Sequence, residues 1–107
     1  MYVIRRVAKT ERGQEREVAA LLTKICEAYE QAGRSKAQVY IGGRGLPGTP
    51  GMVYAEWTQE RIEPISPSKV PESVISDNAK LQALLSDYPI EFYELVTPEK
   101  LKGWGLA

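Results

Sequence analysis

Two stretches of this chain repeat their apolar residues at helical spacing, and four others read as strands, in the order β-α-β-β-α-β. The first helical stripe is Val18, Leu21, Leu22, Ile25 and Tyr29 within residues 14–31. Its steps of three and four keep one face of a helix apolar. Gly33 follows where a left-handed C-terminal cap belongs. The second stripe is Val74, Leu81, Leu84, Leu85 and Tyr88. With Pro71 suited to a first turn and Pro89 as a stop, it predicts a helix over residues 71–88. Strands are predicted over 2–9 (YVIRRVAK), 37–42 (AQVYIG), 52–58 (MVYAEWT) and 90–96 (IEFYELV). The connection 43–51 (GRGLPGTPG) is too long for a two-residue hairpin, and 59–70, with two prolines, reads as an irregular connector. Thr97-Pro98 predicts a short helical turn within the tail, residues 98–107.

This order over 107 residues predicts a single α+β domain of ferredoxin-like topology. Its four-stranded antiparallel sheet would carry both helices on one face and hold the first and third strands in the middle. Composition then removes chemistry. One cysteine excludes a disulfide scaffold, and zero histidine excludes His-dependent triads, His-ligated haem and nearly all zinc sites. The Asp and Glu residues show no metal-ligand spacing, so neither metal nor cofactor is expected. A net charge of zero argues against nucleic-acid and anionic-membrane partners. The balance conceals a split: residues 1–53 hold nine Lys/Arg and five Asp/Glu, and residues 54–107 hold five and nine. With no long apolar run and no leader pattern at Met1-Tyr2-Val3-Ile4, a cytoplasmic location is expected.

Two helices cover one face of such a sheet and leave the other open. Strand alternation separates Val39/Ile41, Val53/Ala55/Trp57 and Ile90/Phe92 from the complementary sets. Those complements carry Tyr40, Met52, Tyr54, Tyr93 and Leu95, too apolar to stay bare in water. Homodimerisation, sheet against sheet, is the simplest cover, and such packing can leave a tyrosine-lined pocket for a small molecule.

Without histidine, proton transfer near neutral pH falls to carboxylate, tyrosine or lysine. Glu56 is the best carboxylate, because it shares a strand face with Tyr54 and neighbours Trp57. The structural alternative is an ion pair with Arg5 or Arg6. Those two arginines point to opposite faces, and an inward one can pair with a carboxylate or hold an anionic substrate group. Cys26 reads as buried filler. The glycine-rich segment 42–48 lacks a phosphate-loop ending and precedes a strand, which leaves an exposed connection or a lid over a pocket.

The strand YVIRRVAK, the polar turn after it, the stripe VAALLTKICEAY and the VYAEW strand ending in Glu56 and Trp57 together give a chain that resembles the dimeric α+β barrel superfamily. That superfamily includes antibiotic-biosynthesis monooxygenase-like and NIPSNAP-like proteins. The resemblance is one of pattern over nearly the whole chain, without an invariant catalytic motif. It implies a homodimer that takes a hydrophobic, often aromatic, organic molecule. In cofactor-free monooxygenases of the superfamily, tyrosine, tryptophan, asparagine and arginine are implied to position a phenolic substrate. Here that set would be Tyr40, Tyr54, Trp57, Asn78 and Arg6, with Tyr93 converging on the same sheet surface. Two readings follow. One is a cofactor-independent monooxygenase or isomerase/cyclase-like enzyme, with Glu56 handling protons, Tyr54 orienting the substrate and Arg6 stabilising an anion. The other is a non-catalytic ligand-binding or assembly module whose open sheet face is only a dimer interface.

Overall fold

The computed structural model describes residues 1–11, 13–43, 45–62 and 70–107. Strand β1 (Tyr2–Thr10) leads into helix α1 (Glu15–Gln31), and strands β2 (Gln38–Gly42) and β3 (Met52–Gln59) follow. Helix α2 (Glu72–Gln82), the short strands β4 (Leu85–Asp87) and β5 (Ile90–Glu94), and helix α3 (Pro98–Gly103) complete the chain. The expected connector over 59–70 falls, for residues 63–69, outside the described residues.

All strand pairs are antiparallel. The sheet runs β2-β3-β1, with β4 and β5 both pairing the other edge of β1. The strands expected first and third are therefore the central pair. Of the predicted α1 stripe, Val18, Leu22 and Ile25 are buried, and with Cys26 they meet Ile4, Ala8, Val53, Ala55 and Trp57 from the sheet and Val74 and Leu81 from α2, while Leu21 and Tyr29 are partly buried against that core. The α1 end is a Schellman motif. Gly33 adopts φ 109°, its N–H donates to Glu30 O at 3.0 Å, and Arg34 N–H donates to Tyr29 O at 3.0 Å.

The second helix differs from its expected span. It stops at Gln82, and the predicted stripe residues Leu84, Leu85 and Tyr88 lie beyond it. The edge of β1 outcompetes the next helical turn for backbone groups that must be paired. Leu85 pairs with Thr10 and Asp87 with Lys9, Thr10 Oγ1 donates to Leu84 O at 2.7 Å, and Val7 N–H donates to Pro89 O at 2.9 Å. The sheet consequently has five strands where four were expected. At the tail, Thr97 Oγ1 accepts from Lys100 N–H at 3.2 Å, and Pro98 opens the predicted helical turn.

Register sorts the side chains, because residues directly opposite each other in an antiparallel pair share a face. Ile4 faces Trp57 and Phe92, Arg6 faces Ala55 and Ile90, and Ala8 faces Val53. That is the helix face. Arg5 opposite Glu56 and Glu91, Val7 opposite Tyr54, and Tyr40 opposite Tyr54 make up the open face. Tyr40 and Tyr93 remain 42% and 43% exposed there.

Candidate functional site

The helices do not cover their own face completely. Ile90 and Phe92 of β5 point to the helix side yet stay 37% and 46% exposed. Between that strand, the middle of the sheet and the two helices lies a cleft of about 810 Å³. Arg6, Ala55, Trp57, Ile90 and Phe92 line it from the sheet. Leu22, Ile25, Cys26 and Tyr29 of α1 and Val74, Ile75 and Asn78 of α2 form the walls, with Arg34 and Tyr88 from connecting segments. The volume and the mainly apolar lining match those of a small-molecule site.

Local structure explains how each polar group arrives. Arg6 sits mid-strand between the small Ala55 and the edge residue Ile90, so its long side chain has room over the sheet. It stacks on the Tyr88 ring, with the guanidinium carbon 3.8 Å from the ring centroid. The Schellman turn at Gly33 directs Arg34 back over the end of α1. Its guanidinium carbon lies 3.8 Å from the Tyr29 centroid and 4.4 Å from the Trp57 ring. Trp57 Nε1 donates to Gln59 Oε1 at 2.9 Å, which holds the indole in place. Burial lowers the affinity of Arg34 for its proton, and the charge of Arg6 acts in the same direction. Burial raises the Tyr88 phenol, partly offset by Arg6. Burial likewise pushes the Cys26 thiol up to about 11, against the pull of Arg34, so it is a protonated, unreactive wall.

The open face has a different character. Arg5 donates to Glu56 Oε2 through Nη2 at 2.8 Å and through Nε at 3.2 Å. That bond, ahead of the opposing effect of burial, raises the Arg5 pKa. The guanidinium lies 5.6 Å from the Tyr54 centroid and 5.7 Å from the Tyr93 centroid. Tyr93 Oη donates to Glu91 Oε1 at 2.6 Å, and Tyr40 Oη donates to Gln38 Oε1 at 2.6 Å. The bond to Glu91 raises the Tyr93 phenol.

The seven residues singled out from the sequence thus fall into two groups on opposite faces. Arg6, Trp57 and Asn78 line the cleft. Tyr40, Tyr54, Glu56 and Tyr93 lie on the open face, where Glu56 has the ion-pair partner its structural alternative named. None of the described residues of the glycine-rich 43–51 connection lines the cleft. Sequence reasoning missed Arg34, Tyr29 and Tyr88. Gly33 flagged the turn that positions Arg34, and the stripe placed Tyr29 on the inward face of α1, but neither signal specifies a cleft.

No family model matches the chain, and no curated protein is a significant match. Solved structures do match. An uncharacterized NIPSNAP domain protein from Burkholderia xenovorans superposes with a TM-score of 0.68 at 13% identity, covering 92% of this chain and 97% of that one. An antibiotic biosynthesis monooxygenase gives 0.63 at 10% identity, covering 91% and 100%. A NIPSNAP family protein from Agrobacterium tumefaciens gives 0.62 at 14% identity, covering 91% and 93%. At these identities the likeness is one of fold: the chain has the ferredoxin-like α+β fold of the NIPSNAP and antibiotic-biosynthesis monooxygenase-like proteins, the superfamily its sequence pattern resembles.

Proposed function

We propose that the protein binds a hydrophobic small organic molecule in the cleft between its sheet and its helices. The observation that carries this reading is the cleft itself, about 810 Å³ and walled by Leu22, Ile25, Trp57, Val74, Ile90 and Phe92. Binding is favoured over turnover by the position of Glu56. The carboxylate suited to proton handling faces away from the cleft and is held by Arg5. Thermal-shift measurement against a panel of aromatic compounds tests the reading. A ligand present at 100 times its Kd adds about 2.7 kcal/mol, which raises Tm by roughly 12–16 °C. Asn78→Trp, which projects an indole into the cleft from α2, should abolish that rise while leaving the unliganded protein folded. A panel that moves Tm nowhere, or a rise undiminished in Asn78→Trp, would refute the reading.

In the same reading two copies associate through their open sheet faces. The support is the apolar and aromatic content of that face, with Tyr40, Tyr93 and Leu95 each well exposed in one chain. Sedimentation at micromolar concentration should give about twice the 11.9 kDa chain mass. A Tyr54→Asp variant should sediment as one chain, and a wild-type mass near 11.9 kDa would count against the dimer.

A further inference from the structure

The cleft holds two guanidinium groups that an uncharged apolar ligand would not need. Arg34 stacks on Tyr29 and Trp57, and Arg6 stacks on Tyr88. Aromatic rings therefore occupy guanidinium faces, and a face-stacked guanidinium keeps its in-plane N–H groups for an acceptor; Arg34 keeps its set, while Arg6 gives one side-chain hydrogen bond to Tyr88 and has further N–H groups left. Among the described residues no carboxylate pairs with either arginine; the ion pairs there belong to Arg5, Lys24 and Lys100. No carboxylate is found among the described lining residues either. Two like charges in an apolar cleft are unfavourable, because each loses hydration and they repel through a medium less polar than water. The lowered proton affinity of Arg34 follows from both effects. An anion between the two groups relieves both at once.

Building on the binding reading above, we propose that the ligand is a hydrophobic carboxylic acid whose ionised group lies on the in-plane edges of Arg34 and Arg6. Its apolar body rests on Phe92, Ile90, Ile25 and Val74. Trp57 and Tyr29 hold Arg34 in the orientation that presents its N–H groups, so they act as positioning residues. The Schellman turn fixes the backbone from which the arginine reaches.

Naphthoate and naphthamide separate this proposal from the broader one. The two have nearly the same shape and apolar area and differ in charge. Calorimetric titration of the wild-type protein should show naphthoate binding about 10- to 100-fold more tightly, the range for a hydrogen-bonded charged group. In Arg34→Gln that preference should fall to within a few-fold while the naphthamide affinity is kept, and Arg34→Lys should restore part of it. Arg6→Gln supplies an independent variant should Arg34→Gln fold poorly, as judged by circular dichroism. Equal affinity for the two probes in the wild type would overturn the acid proposal and leave the binding reading standing. A preference retained in both folded glutamine variants would also overturn it. A folded wild-type protein that binds neither probe, nor any other aromatic compound, would overturn the binding reading and this proposal with it.

Discussion

Gly33→Ala tests how the backbone is held at the end of α1. Gly33 holds φ 109°, a conformation that disfavours a Cβ, and an added methyl would meet nothing within 4 Å. The loss is therefore conformational alone, about 1–2 kcal/mol. For a chain of 107 residues this lowers Tm by about 5–12 °C. Gly51→Ala is the matched comparison. Gly51 has φ 76°, but a Cβ there would sit 2.4 Å from Thr10 O. Thr10 cannot move aside readily. Its N–H donates to Gly51 O at 2.8 Å, and its hydroxyl donates to Leu84 O at 2.7 Å, which holds β4 in place. Strain and clash then add, and the loss should reach about 4 kcal/mol or more. Urea denaturation followed by tryptophan fluorescence measures both variants. Gly51→Ala no more destabilising than Gly33→Ala, or Gly33→Ala neutral within about 0.5 kcal/mol, would refute this account of the two glycines.

Cys26 should make stability fall in alkaline solution. Its thiol is raised from an ordinary 9.0 to about 11, so its contribution is intact below pH 9 and is lost as the unfolded chain ionises first. Between pH 9 and 11 the wild type should lose about 1.4 kcal/mol per pH unit relative to Cys26→Ala, read from paired urea titrations. Parallel pH profiles for the two proteins would contradict this. On the open face, the Arg5–Glu56 side chains are 41% and 27% exposed in one chain, so Glu56→Gln should destabilise a single chain by less than about 1 kcal/mol, and by less again at high salt. A loss above about 2 kcal/mol from a single chain would show that the pair is not a surface interaction.

The strands were legible because a period of two separates faces without any tertiary information. Val53, Ala55 and Trp57 read as one set and Met52, Tyr54 and Glu56 as the other, and the register keeps both sets intact. Helix α1 was legible because stripe, cap glycine and length agree. Helix α2 was only half legible. Leu84 and Leu85 continue its stripe, and no glycine interrupts residues 72–88, so nothing local stops the helix before Pro89. What stops it is the edge of β1, more than seventy residues earlier in the chain, which offers Thr10 and Val7 as partners. A competition between a local turn and a distant strand edge is decided by topology, and single-sequence periodicity carries no term for it.

The same distinction governs the site. The alternation that sorted the strands already assigned Trp57 and Tyr54 to opposite faces, so a site built from both required a pocket to reach through the sheet. The register divides that set: Arg6 and Trp57 go to the helix side, and Tyr54, Glu56, Tyr40 and Tyr93 to the other. Arg34 was invisible as a site residue for a different reason. A basic residue after a cap glycine has an ordinary local explanation, interaction with the end of the helix dipole, and that reading is sufficient until the partners are known. The partners are Trp57, twenty-three positions later on β3, and Tyr29, one turn back. They change the meaning of the residue, because a guanidinium between two rings is desolvated and held in one orientation, whereas a guanidinium at a free helix end is neither. Its cap position accounts for where the Arg34 backbone goes. The like charge of Arg6 sharing its cleft is what a cap does not account for, and a pair with no carboxylate partner among the described residues is the strongest argument for an acidic ligand.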